Sequence, residues 1–154
     1  MTAEVRFLFA ATQRHGEMQA LPAVQVHAGA GLVGDRFYGR RKAAPGRNLT
    51  LIAEEDIAAV NAALGLAIAP DGPRRNVVTR GIDLNTLIGR RFRVGDVLLE
   101  GIEACTPCAV LGRNLATPAV PAHAVIRAFA NRGGLRAAVL GTGILRVGDP
   151  LLFA

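Results

Sequence analysis

The chain contains no tryptophan, one tyrosine and six phenylalanines. The aromatic platforms on which single-stranded nucleic acid stacks are therefore scarce, which argues against a nucleic-acid partner. Lysine is nearly absent too: Lys42 is the only one among 18 basic residues, against 12 acidic ones and a formal charge of +6. Positive charge is thus carried as guanidinium, a planar fork that grips phosphate or carboxylate at two points, and the excess points to an anionic small molecule or partner. Histidine is limited to His15, His27 and His123, and none stands at a zinc-finger spacing from the cysteines. No G-x-G-x-x-G opens a helix after a strand, and no nucleophile elbow or Ser-His-Asp pattern is visible, so Rossmann and hydrolase chemistry find no support. No stretch approaches the roughly 18 consecutive apolar residues of a membrane span. The apolar N-terminal stretch is broken by Glu4 and Arg6, unlike a signal peptide, and a cytoplasmic location is expected.

With 51% hydrophobic and 19% charged residues, the whole chain is expected to fold as a single domain, 1–154. Short apolar or alternating runs bounded by Gly, Pro and Asn predict strands at 5–10, 23–28, 48–53, 76–79, 97–103, 136–141 and 150–154. A helix is predicted over 54–65, where Ile57, Val60 and Leu64 share a face, acids open the first turn and Gly65 closes the last. A second is predicted over 121–134, from Pro121 to a glycine pair. "FRVGDVLLE" (92–100) and "LRVGDPLLF" (145–153) echo one another as strand, Gly-Asp turn and strand. Strands dominate without regular alternation with helices, which disfavours βαβ winding. The expected class is mainly β (α+β), a closed or nearly closed barrel with two or three flanking helices.

Three groups of residues carry candidate chemistry. "EACTPCAV" holds both cysteines, Cys105 and Cys108, after a strand and ahead of a helix start. Backbone N–H groups at such a start favour a thiolate, making Cys108 a candidate nucleophile or metal ligand. A dithiol couple, a zinc half-site and two buried small hydrophobes remain alternatives at this level. "GPRRNVVTRGIDL" brings together Arg74, Arg75, Asn76, Thr79 and Arg80, whose forks, amide and hydroxyl suit a phosphate or polar heterocycle. The third group is Asp35 and Arg36 in a glycine-rich loop, with Arg40, Arg41 and Arg47 nearby.

The order "GLVGDRF", "NLTLIAEED", "RRNVVTRGIDLNTLIGRRFRVGDVLLEGIEACTPC" and "GGLRAAVLGTGILRVGDPL" resembles the MOSC family, over about residues 5–153. The resemblance implies a MOSC-type β-barrel and binding of the molybdenum cofactor (molybdopterin), a pterin dithiolene with a terminal phosphate. It also implies that Cys108 is the thiolate ligand to the metal and the catalytic residue. Arg74, Arg75, Asn76 and Thr79 would then hold the pterin phosphate, with Asp35 and Arg36 ordering the glycine-rich side of the site. Enzymatic members are molybdenum-dependent oxidoreductases that reduce N-hydroxylated compounds with electrons from separate electron-transfer proteins. The alternative is a non-catalytic carrier, either of sulfur as a Cys108 persulfide or of the cofactor for an accepting protein; a basic β-barrel binding module is a further one. One departure stands out. Many standalone members read "GDRH" where this chain has Phe37, which removes an imidazole from the site.

Overall fold

The computed structural model describes residues 2–39 and 48–154. Arg40, Arg41 and Arg47 of the basic loop lie outside the described residues. In chain order the elements are β1 (Glu4–Ala10), β2 (Gln19–Leu21), β3 (Ala23–His27), β4 (Gly31–Leu32), β5 (Leu49–Ala53), α1 (Glu54–Leu64) and β6 (Val77–Arg80). A 3-10 turn (Leu84–Leu87) precedes β7 (Arg91–Val94) and β8 (Val97–Ala104), followed by α2 (Ala109–Leu115), α3 (Ala122–Ala128), β9 (Leu135–Val139), β10 (Gly143–Arg146) and β11 (Leu151–Phe153). Eight strands form one sheet in the order β11-β7-β8-β9-β5-β6-β1-β2, and β10-β3-β4 form a second. The large sheet curls until β1 meets the start of β11, where the Val5 N–H donates to the Asp149 carbonyl at 2.9 Å and the Leu151 N–H to the Ala3 carbonyl at 3.0 Å. The expected mainly β, barrel-like architecture with three flanking helices is what the chain adopts.

Two apolar layers hold it together. Val5, Leu8, Leu49, Leu51, Val77, Phe92, Val97 and Leu99 pack inside the curled sheet. Phe9, Ile52 and Val78 point the other way, against Ile57 and Val60 of α1 and Val125 of α3. Alternation along β5 and β6 therefore serves both layers, which is why "LTLIA" and "VVT" read as nearly continuous apolar runs. β5 and β6 are parallel, with Leu51 opposite Val77, and α1 is their crossover. The βαβ arrangement disfavoured by the strand spacing thus occurs once, locally.

α1 ends as expected at Gly65, whose φ of 65° makes it a left-handed C-cap. The second predicted helix is shorter than 121–134: α3 stops at Ala128, and Asn131 turns left-handed at φ 60°. The glycine pair that suggested a helix end belongs instead to the entry into β9. There, a Cβ on Gly133 would run into the Cys105 carbonyl oxygen, and one on Gly134, at φ 101°, into that of Leu51.

The echoed corners have different outcomes. Gly95 and Gly148 both adopt positive φ, but the first corner closes the β7–β8 hairpin, pairing Val94 with Val97. In the second, Pro150 occupies the place of Val97 and has no N–H to donate across a hairpin. The chain instead passes from the small sheet to the large one, and Pro150 bridges to Glu4. The two corners then meet, the Gly95 N–H donating to the Pro150 carbonyl at 2.9 Å.

Gly134→Ala is expected to destabilise the protein by about 3 kcal/mol, roughly 10 °C in Tm, because a left-handed backbone and a backbone clash coincide. Gly148→Ala, also at positive φ but with nothing within 4 Å of its added methyl, should cost only about 1 kcal/mol. Thermal unfolding of the two variants side by side checks the difference.

Candidate functional site

The registers set one row of residues across the sheet. Ala104 pairs with Leu135, Leu135 with Leu51, Leu51 with Val77 and Val77 with Leu8. That row places the end of β8, the start of β9 and the start of β6 at one rim of the barrel. The segments just outside it are Cys105–Cys108, Gly133–Gly134 and Arg74–Arg75, so all three converge. A cavity of about 200 Å³ opens there, lined by both cysteines, by Arg14, Arg36, Arg74, Arg75 and Arg136, and by His15, Phe37 and Thr50 among others.

Cys108 is the N-cap residue of α2 and is exposed, whereas Cys105 is buried; both are free thiols. The Leu111 backbone N–H, the largest influence, holds the Cys108 thiol below its ordinary range, against an opposing desolvation. The Val110 N–H and the Arg75 and Arg113 guanidiniums add to the lowering. Cys105 sits in the wall, its N–H donating to the Gly134 carbonyl at 2.8 Å.

The arginines are held differently. Arg75 Nε donates to the Gly133 carbonyl at 3.1 Å, so the glycine pair fixes both the cysteine segment and this guanidinium. Arg36 Nη1 lies 3.1 Å from the carboxylate of Asp35 and 3.6 Å from the sulfur of Met18, with its guanidinium 4.5 Å from the Phe37 ring centre. Asp35 is buried and also accepts from the Ala11 N–H at 3.1 Å and the Phe37 N–H at 3.3 Å, tying the glycine-rich loop to β1. Arg74 is left-handed at φ 61°, and its Nη2 is buried without a hydrogen-bond partner. A buried donor left in that state costs about 1–3 kcal/mol, and it is the kind of atom a ligand oxygen would satisfy.

Of the residues singled out in the sequence, Cys108, Arg36, Arg74 and Arg75 line the cavity, and Asp35 stands directly behind Arg36. Asn76 and Thr79 do not line it. The Asn76 amide is consumed within the fold, its oxygen accepting from the Thr50 N–H and hydroxyl, both at 3.2 Å, and its nitrogen donating to the Phe9 carbonyl at 3.2 Å. Asn76 therefore positions Thr50, which does face the cavity. Thr79 is fully buried in β6 opposite Ala53, away from the rim. Arg14, His15, Thr50 and Arg136 went unnoticed in the sequence. Arg136 was the most accessible of these, as the one charged residue in the otherwise apolar "LRAAV"; His15 carried no spacing signal.

Alkylation of native protein by iodoacetamide should label Cys108 and spare buried Cys105. The rate should reach half its maximum at a lower pH than the roughly 8.5 of a free thiol. Arg75→Gln removes a favourable charge and should move that midpoint upward.

A family model described as "MOSC domain" matches residues 38–152. The match begins immediately after the Asp35–Phe37 loop and includes the arginine and cysteine segments. Among solved structures, the chain is similar to the YuaD protein from Bacillus subtilis, with 21% identity, a TM-score of 0.84, and coverage of 98% of this chain and 94% of that one. It is also similar to YiiM from Escherichia coli (18% identity, TM-score 0.70, covering 98% of this chain and 69% of that one). YiiM from Geobacillus stearothermophilus gives 12% identity and a TM-score of 0.75, covering 99% and 75%. No curated protein matches the chain. At such identities the likeness speaks for the fold, and the family model for membership: the chain belongs to the MOSC domain family.

Proposed function

We propose that this cavity binds the molybdenum cofactor, with the Cys108 sulfur as the protein's ligand to the metal and the arginines around the pterin phosphate. The observation that carries the reading is the buried, unpartnered Nη2 of Arg74 in the same cavity as a stabilised thiolate. Charge supports it. Among the described residues, five guanidiniums line the cavity; Arg36 lies 3.1 Å from Asp35 and Arg136 4.0 Å from Glu103. A phosphate monoester, of charge about −1.5 to −2 near neutral pH, complements a lining in which positive charge predominates.

Donor chemistry points the same way. Among the described residues no group of three or more His, Cys, Asp or Glu stands ready to hold a metal ion, so a metal at Cys108 has to bring most of its own ligands. A soft thiolate suits such a pre-chelated, sulfur-rich centre. When bound, the cofactor supplies two-electron oxygen-atom chemistry. This chain's residues fix its phosphate through Arg74 and Arg75, set the loop through Asp35 and Arg36, and hold the thiolate in place at the start of α2. We propose that the reaction is reduction of N-hydroxylated compounds, with electrons delivered by a separate protein. The exposure of Cys108 favours a second reading, a carrier that passes on cofactor or persulfide sulfur to an accepting protein. In that case Cys108 isolated under non-reducing conditions carries the mass of one added sulfur atom.

Protein from a host that makes the cofactor should contain near-stoichiometric molybdenum by elemental analysis, lost in Cys108→Ala with little change in stability. Arg74→Gly gives the sharper result. It removes the phosphate contact together with a left-handed side-chain penalty of about 1–2 kcal/mol, so loading should fall while Tm is unchanged or higher. A Cys108→Ala protein that keeps its molybdenum overturns the assignment.

A further inference from the structure

A second cavity of about 360 Å³ adjoins the first and shares His15, Gly72, Arg74 and Asn114 with it; Glu17 and Asp71 line the second alone. Among the described residues, His15 is the one imidazole on either wall. It enters from a tight turn in which the Gly16 N–H donates to the Gln13 carbonyl at 2.9 Å, and its own backbone is left-handed at φ 63°. A non-glycine residue in that region costs about 1–2 kcal/mol, and such strain gathers where function maintains it. The described non-glycine residues with positive φ are His15, Arg74 and Asn131, and the first two sit together at the waist between the cavities.

We infer that His15 is the proton donor of this site and that the second cavity receives the substrate, an N-hydroxylated base. The inference rests on the reductase form of the proposed function and adds a residue and a place to it. Converting N–OH to N–H and water consumes two electrons and two protons. The electrons come from a reduced electron-transfer protein, the N–O bond breaks, and the oxygen leaves as water. The His15 imidazolium gives one proton to the departing oxygen, solvent supplies the other to nitrogen, and solvent reprotonates the ring. No neighbour serves as well. The guanidiniums of Arg14, Arg36, Arg74, Arg75 and Arg136 do not release protons, Cys108 is committed to the cofactor, and Glu17 and Asp71 line the cavity as acceptors for the amino groups of a basic substrate. Phe37 lines the first cavity together with His15.

His15→Asn tests this with the backbone preserved, since Asn tolerates the left-handed region. In molybdenum-loaded protein supplied with a chemical reductant, kcat for benzamidoxime should fall about a hundredfold or more, while KM and molybdenum content hold. The pH profile of kcat should differ between wild type and variant, while the profile of molybdenum retention should not. In cofactor-free wild type, benzamidoxime should shift the His15 ring signals in NMR spectra. An active wild type whose His15→Asn variant stays within about twofold, a range too small for lost general acid catalysis, overturns the proton-donor role. Ring signals indifferent to saturating benzamidoxime overturn the substrate placement. A wild type that retains no molybdenum has a different signature and overturns the cofactor reading, and this inference with it.

Discussion

The site depends on how closely three backbones approach one another at Gly133 and Gly134. The Gly134 carbonyl accepts the Cys105 N–H and the Gly133 carbonyl accepts Arg75 Nε, while Cβ atoms at these positions would occupy the space of the Cys105 and Leu51 carbonyls. The entry to β9 thus holds the cysteine segment on one side and the arginine segment on the other. Each partner lies more than 25 residues away in sequence, yet the sheet register brings them to one rim. The chemistry of the thiolate and the guanidiniums follows from that geometry.

Electrostatics then distinguishes the two walls. Arginines crowd the cavity next to Cys108, where carboxylates stand only behind Arg36 and Arg136. Of these two cavities, only the neighbouring one has carboxylates among its described lining residues, Glu17 and Asp71. The first lining suits an anionic group and the second a basic one. Arg74 and His15 occupy the boundary, both in a backbone region that side chains avoid.

Much of the fold was legible because its signals are local. Alternation marked the long strands, and acids with a terminal glycine marked α1 over Glu54–Leu64. The end of α3 was misplaced because a glycine pair reads alike whether it caps a helix or admits a neighbouring backbone, and only the tertiary contact tells them apart. In the site, Cys108, Arg74 and Arg75 were legible from residue type and spacing. Asn76 and Thr79 looked like ligand contacts because their polar groups fall beside the arginines, but the strand pairings turn Asn76 to Thr50 and bury Thr79. His15 was not legible, since what brings it to the cavity is a turn geometry with no counterpart in spacing, and Arg136 left only the signal of a lone charge in an apolar strand.

The replacement of a hairpin residue by Pro150 has a consequence for how the chain reaches this structure. Its bridge to Glu4 joins segments near opposite ends of the chain and, with the Leu151–Ala3 hydrogen bond beside it, closes a loop of nearly the whole chain. Loop-closure entropy makes such a contact unfavourable until the intervening strands are already aligned. The seam is therefore placed to form late, after the β7–β8 hairpin and the β5–α1–β6 unit, both built from nearer segments. Weakening the seam would then act mainly on the rate at which the barrel opens, and much less on the rate at which it assembles.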